Sequence, residues 1–239
     1  DGTSRILRLW DQSLLAKPGE DPPEGYAAGV EYTKTDIDRA LRLSGAEGKQ
    51  IVREQDFSGH GTSVLGIAAG NGRASGGVNR GVAYTSDIIA VKMGMPGENS
   101  FPRTAELMQG VDYLVRQAAE LGRPMAVNIS FGNNYGSHRG DSLLETYLSN
   151  VSDAGRTVIC VGTGNNGNDS VHTAGILETG MQAEIPFSVS PRERVLNVQL
   201  WKSYADEIEI SLVTPSGERI GLCLNRLELR DIRPEKQSF

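Results

Sequence analysis

The sequence has few of the residues that mark disulfide-stabilised, metal-binding or membrane-spanning proteins. Only two of its 239 residues are cysteine, Cys160 and Cys223, and they lie far apart in different predicted strands. A disulfide framework needs denser cysteines and a metal site needs neighbouring ligands, so both are predicted to be buried thiols, with no metal and no cofactor. No window approaches the roughly eighteen apolar residues of a membrane span. The opening DGTSRILRLWDQS also lacks the apolar core of a signal peptide.

A basic surface is lacking as well. The chain has 30 acidic and 24 basic side chains, which gives a formal net charge of −6. Proteins that bind nucleic acid present concentrated positive charge to the phosphates, so no nucleic-acid partner is predicted. Apolar residues make up 38% and charged residues 23% of the sequence, as in an ordinary globular protein that can bury a substantial core.

Apolar runs alternate with amphipathic helices between residues 86 and 162. The runs SDIIAVKMG, PMAVNIS and RTVICVG are typical of buried strands, and helices are predicted over 104–121 and 141–154. This alternation predicts an α/β fold, with a parallel sheet covered by helices on both faces. Earlier in the chain, the opening forty residues are predicted to be irregular before a helix capped by Thr35, and another helix is predicted to begin at His60.

The hydrophobic period changes beyond Gly175. Four short segments alternate apolar and polar residues, which predicts paired antiparallel strands with one buried face. The buried positions are predicted to be Ile185, Phe187, Leu196, Val198, Leu200, Ile208, Ile210, Leu212, Ile220, Leu222 and Leu224. We therefore expect two domains, 1–175 and 176–239. The uncovered edges of so few strands predict self-association through the second domain.

His60 is the strongest candidate for chemistry. It lies in SGHGTS at the start of a predicted helix, where glycines on both sides let a substrate approach the imidazole. A general base needs such a rigid and accessible position, and histidine is the side chain suited to it near neutral pH. The pattern alone leaves open a second interpretation, in which the histidine only caps the helix. The other two histidines, His138 and His172, are predicted to be ordinary exposed loop residues.

Four blocks of the sequence resemble the subtilisin-like serine proteases, or subtilases. SGHGTSVLGIAAGNG is similar to their histidine block, GVAYTSDIIAVKMG to a strand block, AVNISFG to the substrate-binding strand, and CVGTGNNGN to the oxyanion-hole block. The blocks occur in the family's order across residues 52–168.

The flanking segments narrow this resemblance to one group within the subtilases. DGTSRILRLWDQS, EYTKTDIDRAL and the segment through LVTPSGERIG are similar to the Csp-type germination proteases of clostridial spores. In that group a β-rich, jelly-roll-like insertion separates the oxyanion asparagine from the catalytic serine. The resemblance thus implies a truncated subtilisin-like core followed by part of an antiparallel β insertion.

The resemblance also implies roles for individual residues. His60 would take the proton of the serine as general base, and Asn165 would donate its side-chain amide to the oxyanion. A turn role is the alternative for Asn165, although Asn166 suits that role better. The residues implied to bind substrate are Ser130, Phe131 and Gly132 in the primary specificity pocket, Gly164 beside the oxyanion asparagine, and Met95, Pro96 and Gly97 near the strand that pairs with an extended peptide. For the last three, a plain loop is an equal alternative.

Two members of the Ser-His-Asp triad have no match in the sequence. The family's order is Asp, His, Ser. Asp11 and Asp56 precede His60, but neither is predicted to follow an apolar strand, and the two GTS triplets, at 2–4 and 61–63, lack the sequel of the serine block. We therefore expect a fragment that is inactive alone and derives from a serine endopeptidase acting on a protein or peptide, spore-associated or extracytoplasmic by resemblance. Two alternatives stay open: a catalytically decayed pseudoprotease that binds or signals in spore germination, and a non-enzymatic doubly wound binding domain.

Overall fold

The computed structural model describes residues 2–43, 45–94, 103–192 and 196–222. These belong to two units, one formed by Asp1–Asn134 with His138–Ala183 and the other by Tyr135–Ser137 with Glu184–Phe239. The division into domains 1–175 and 176–239 stays a prediction. Five residues named above lie outside the described part of the chain: Met95, Pro96, Gly97, Cys223 and Leu224.

A three-stranded sheet opens the first unit. Its strands are β1 (Ile6–Asp11), β2 (Val30–Thr33) and β3 (Ile88–Lys92), in the order β2-β1-β3. β1 runs antiparallel to β2 and parallel to β3. The expectation of an irregular opening is therefore wrong for β1 and β2. Arg8 interrupts the apolar run of β1, but the strand forms because its backbone pairs with β2 on one side and with β3 on the other.

Aromatic side chains pack beside this sheet. The ring centroid of buried Trp10 lies 4.6 Å from that of Tyr26 and 5.2 Å from that of Tyr113. The indole N–H of Trp10 donates to the carbonyl of Ala28 at 3.0 Å. Tilted ring pairs of this kind contribute about 0.5–1.5 kcal/mol beyond the burial of their area. The cluster therefore holds β1 against the chain around Tyr113.

Two short helices follow β2. Helix α1 (Lys34–Arg42) is capped by Thr33, and a capping box joins Thr33 to Asp36. The cap thus lies two residues before the predicted Thr35. Each threonine has an aspartate three residues later, but Asp36 accepts from the Thr33 N–H, whereas Asp38 accepts from Lys34 and from the Ser4 N–H. Helix α2 (Gly48–Ile51) is a single turn.

A second pair of strands lies later in the first unit. β4 (Met125–Ile129) and β5 (Thr157–Val161) are parallel. Helices α4 (Thr104–Glu120) and α5 (Leu143–Asp153) pack on one face of this pair, which confirms the helices predicted here. The fully buried centre of this core consists of Leu107, Val111, Val127 and Ile129. Each such side chain stabilises the fold by about 1.5–3 kcal/mol.

The opposite face of β4 and β5 is open in the described part of the chain. Val158 is 62% exposed, and Cys160, the next residue on that face, is an exposed free thiol. The prediction that Cys160 is buried is therefore wrong. Successive side chains of a strand point to opposite faces, so half of β5 points away from α4 and α5.

The remaining helix of the first unit is α3 (His60–Ala69), followed by a short 3-10 turn at Arg73–Ser75. α3 is apolar along most of its length, a composition typical of a helix that is buried all round. Ile67 on this helix is nevertheless 73% exposed. No helix among the described residues is both long and apolar enough to cross a membrane.

The described part of the second unit contains one hairpin. β6 (Ile210–Val213) pairs antiparallel with β7 (Arg219–Leu222) across the turn TPSG, which confirms the strands predicted there. The burial predicted for Leu212 and Leu222 is wrong, since both side chains are exposed. The paired strands expected at 185–189 and 196–200 are wrong: the described part of this stretch is irregular, and its apolar side chains are about half exposed. Alternation makes a strand only where a neighbour accepts its backbone hydrogen bonds. The short turn supplies that neighbour to β6, and no described segment supplies one to 185–192 or 196–200.

Candidate active site

His60 is the first residue of helix α3 and is exposed. The helix begins there because Gly59 adopts a left-handed conformation, with φ of 71°, and because Asp56 caps its first turn. The Asp56 carboxylate accepts from the backbone N–H of Gly59 at 2.9 Å and of Thr62 at 2.8 Å, and from the Thr62 hydroxyl at 2.7 Å.

These hydrogen bonds, above all the one from the Thr62 amide, hold the pKa of Asp56 well below its ordinary value. A carboxylate at the N-terminus of a helix is also favoured by the partial positive charge of the unpaired N–H groups. Asp56 is therefore a helix cap, with both oxygens occupied. His60 does not act as the cap, which removes the structural alternative considered for it.

The imidazole of His60 reaches across to the end of strand β4. Its Nε2 lies 3.0 Å from the backbone carbonyl oxygen of Ser130, a residue 70 positions away. A carbonyl only accepts hydrogen bonds, so Nε2 is the donor in this contact and, in the neutral ring, Nδ1 is the free acceptor. The histidine block and the substrate-strand block of the sequence thus meet at one atom pair.

The residues after β4 continue this edge of the sheet. The Ser130 hydroxyl accepts from the side-chain amide of Asn128 at 3.0 Å. Phe131 is half-buried and packs against the core of α4 and β4, while Gly132 is exposed. The chain thus leaves β4 with an exposed backbone, held on one side by the Phe131 ring.

The loop after β5 leaves from the same edge, because Ile129 and Val161 are paired at the ends of the two parallel strands. The N–H of Gly162 donates to the Ile129 carbonyl at 3.0 Å. Carboxyl ends of parallel strands are where ligands usually bind in α/β sheets. The segment 162–168, with Gly164 and Asn165, therefore starts beside Ser130.

The two asparagines of this loop differ. The Asn166 side-chain amide donates to the Asp169 carboxylate at 2.5 Å, and the Asp169 N–H donates to the Asn166 carbonyl at 3.0 Å. Asn166 therefore takes part in a turn, as predicted, although its own φ is not positive. Asn165 is exposed, and Gly164 before it has a φ of +92°, a conformation that favours glycine.

Asp11 lies in a different setting from the one expected. It ends strand β1, so the expectation that it follows no apolar strand is wrong. Its side chain is fully buried: one oxygen accepts from the Ser13 N–H at 2.9 Å and the Ser13 hydroxyl at 2.5 Å, and the other faces Lys92 at 3.4 Å. The Asp11 carboxylate is thus already paired with the Lys92 ammonium.

Two groupings had no signal in the sequence. Lys92 and Asp11 are paired only because β1 and β3 are neighbours in register. His138 and His172 are exposed, as predicted, but their ring centroids lie only 4.5 Å apart. Within the described ranges, no group of three or more His, Cys, Asp or Glu side chains could hold a metal ion.

Comparison with known proteins gives a consistent result. A model of the subtilase family, peptidase S8, matches residues 29–196. The solved structure of the CspB protease of Clostridium perfringens is similar to the chain, with 36% sequence identity and a TM-score of 0.59. The match covers 70% of this chain and 32% of that protein's chain, so the sequence spans about a third of the structure it resembles. Together with the order of the blocks and the contact between His60 and Ser130, the match over residues 29–196 means that this chain belongs to the subtilase family of peptidases.

Proposed function

We propose that the chain is part of a subtilisin-like serine endopeptidase that hydrolyses peptide bonds through a Ser-His-Asp triad, with His60 as general base. The observation that carries the proposal is the 3.0 Å contact between His60 Nε2 and the Ser130 carbonyl. It puts an exposed imidazole at the end of β4, where an extended substrate would pair with the exposed backbone of Ser130 and Gly132.

The same contact indicates which tautomer of His60 the triad aspartate would have to change. A general base for serine carries its ring proton on Nδ1 and accepts the hydroxyl proton at Nε2. In the contact with Ser130 the proton is on Nε2 instead. An aspartate that accepts from Nδ1 would reverse the tautomer and free Nε2. Asp56 and Asp11 already have other partners for their carboxylates, so we propose that this aspartate comes from another segment.

The strand order indicates where such a segment would pair. Strand β3 is followed by α4 and then by strand β4, and a strand–helix–strand connection of this kind normally places its two strands in one sheet. In the described part of the chain, β3 and β4 belong to separate sheets and do not pair. α4 nevertheless contacts both sides: the Gln12 side-chain amide donates to the Glu106 carbonyl at 2.9 Å, and Leu107 packs with Val127. We propose that an apolar strand ending in the triad aspartate pairs between β3 and β4.

Asn165 is proposed as the side-chain donor to the oxyanion, and Ser130, Phe131 and Gly132 as the wall of the primary specificity pocket. The hydrogen bond from the Asn166 side chain to Asp169 supports this choice, because it gives the structural role in the turn to Asn166 and not to Asn165. A donor aimed at the oxyanion acts mainly in the transition state, where its removal lowers kcat and leaves KM little changed.

The test compares the 239-residue chain with the longer, full-length protein to which we propose that it belongs. We expect a fluorophosphonate probe to label the full-length protein and not the 239-residue chain, and His60→Ala to abolish labelling and peptide cleavage. Asn165→Ala should lower kcat by about 10²–10³, the loss known for one such donor in subtilisin. Asn166→Ala is the matched control and should reduce stability more than rate.

The outcomes separate the alternatives. A folded full-length protein that neither labels nor cleaves would support the decayed protease that acts by binding in spore germination. Labelling that survives His60→Ala would show that the nucleophile and base lie elsewhere. If Asn166→Ala carried the kcat effect, the oxyanion donor would be assigned one residue too early.

A further inference from the structure

A partly buried charge network links strand β1 to the segment that leads into the His60 helix. Its centre is Lys92, the last residue of β3, which is paired in register with Asp11 of β1. The Lys92 ammonium lies 3.4 Å from one carboxylate oxygen of Asp11, which is 0% exposed. That oxygen has no hydrogen-bond partner, so Lys92 supplies the charge that makes burial of Asp11 tolerable.

The ammonium has three further contacts, all of them in the segment before His60. It donates to the backbone carbonyl of Gln55 at 2.7 Å and lies 3.6 Å from a carboxylate oxygen of Glu54. It also lies 5.4 Å from the ring centroid of Phe57. A single side chain anchored in the sheet therefore contacts three residues of this segment, Glu54, Gln55 and Phe57.

Asp56 directly follows Gln55, and its carboxylate caps α3 by accepting from the backbone N–H groups of Gly59 and Thr62. The backbone of Gln55 directly precedes this cap, so an anchor on the Gln55 carbonyl restrains where the cap, and with it the first turn of α3, can lie. Burial raises the pKa of Glu54 while Lys92 opposes that rise, which fits a partly buried segment stabilised by the ammonium.

We propose that Lys92 is a positioning residue for His60, acting through Gln55 and Asp56. It would fix the start of α3 so that the imidazole meets the end of β4 at Ser130. The inference rests on the proposed function in treating His60 as the general base. The effect on the His60 ring is measured without catalysis, however. The positioning role of Lys92 and the proposed catalytic function can therefore fail independently of each other.

The experiment uses 15N NMR of the histidine ring nitrogens in the 239-residue chain, together with amide exchange at Gly59 and Thr62. In the unmodified chain, we expect the His60 spectrum of a ring protonated at Nε2 and bonded to a carbonyl. In Lys92→Met, the two ring nitrogens should move toward the shifts of a ring that averages both tautomers. The amides of Gly59 and Thr62 should exchange at least about tenfold faster, because the cap has lost its anchor. Lys92→Arg should restore the original pattern, since guanidinium keeps both the charge and the donors.

Lys34→Met is the matched control. The Lys34 ammonium also bonds to one backbone carbonyl, that of Ser4, and one aspartate, Asp38 at 2.9 Å, but it is on α1. This change should leave the His60 ring signals unaltered. If it moved them as much as Lys92→Met does, the signals would report general destabilisation, and the proposal would be wrong.

Lys92→Met leaves the Asp11 carboxylate buried without a counter-charge, a change severe enough to prevent folding. The double variant Asp11→Asn with Lys92→Met removes both charges and still removes the anchor on Gln55. It should fold and show the same change at His60. A double variant with normal unfolding behaviour and an unchanged His60 tautomer would overturn the proposal and leave Lys92 as a purely structural residue. In an active full-length protease, the same variant should lower kcat by about tenfold to a hundredfold with little change in KM.

Discussion

Replacement of Gly81 by alanine should destabilise the chain through the end of the His60 helix. Backbone N–H groups of the segment 81–83 donate to the last carbonyls of α3: Gly81 to Gly70 at 2.7 Å, Val82 to Ile67 at 3.1 Å, and Ala83 to Ala68 at 2.8 Å. These bonds satisfy carbonyls that a helix otherwise leaves unpaired. The segment 81–83, which we call the clamp, thus caps the C-terminal end of α3.

A methyl group on Gly81 has no room beside this clamp. Its Cβ would lie 2.7 Å from each of three backbone atoms: the Ala69 nitrogen, the Gly66 oxygen and the Gly70 nitrogen. None of the three can rotate away, so the clamp must open by several tenths of an ångström. Overpacking of this kind costs about 1–3 kcal/mol. In a chain of this size, each kcal/mol lowers Tm by about 2–4 °C, so the fall should be about 2–12 °C.

The measurement is thermal unfolding followed by circular dichroism, with amide exchange of α3 as a local readout. Gly66→Ala is the control, because a Cβ at Gly66 would meet no neighbouring atom within 4 Å and alanine favours a helix by about 0.5–1 kcal/mol over glycine. We expect Gly66→Ala to raise Tm slightly. An unchanged Tm in Gly81→Ala, or a loss in Gly66→Ala as large as that in Gly81→Ala, would refute the geometry described for the end of α3.

Three further predictions concern other parts of the first unit. Leu107→Ala should lower the free energy of unfolding in urea by about 2–5 kcal/mol, because it opens a cavity in the core of α4 and β4; a loss below about 1 kcal/mol would contradict that packing. Tyr113→Phe should cost about 1.5–3 kcal/mol in the same assay, since the buried Tyr113 hydroxyl donates to the Glu31 carboxylate at 2.6 Å. The lowered pKa of Asp56 means that its cap stabilises the fold fully above the ordinary carboxyl pKa of about 3.9 and is lost as the pH falls toward the lowered value. The urea midpoint should therefore fall between about pH 5 and pH 2, and less steeply in Asp56→Asn; equal slopes would argue against the cap.

Much of the first unit could be predicted from the sequence because its signals are local. The apolar stripe of α4 and the Gly122–Pro124 break after it specify a helix that ends before β4. Asn166 was separable from Asn165 as the turn residue, and its bond to Asp169 agrees with that assignment. His60 was a candidate because glycines flank a lone histidine at a helix start, a pattern that needs no tertiary information.

Tertiary structure decided which local patterns were realised and which side chains met. The alternating segments at 185–189 and 196–200 satisfy the strand pattern, yet in the described part of the second unit only β6 and β7 form a pair, because backbone hydrogen bonds need a neighbour that periodicity does not supply. β1 escaped prediction for the opposite reason, since its buried Asp11 is acceptable only beside Lys92 on a strand 81 positions later. The contact of His60 with Ser130 likewise spans 70 positions. The sequence alone determined the residue types of the candidate site and the order of its blocks. The pairing of distant strand ends decided which of those residues came together. Such contacts depend on strand register and on how the chain crosses from strand to strand, and neither leaves a local pattern in the sequence.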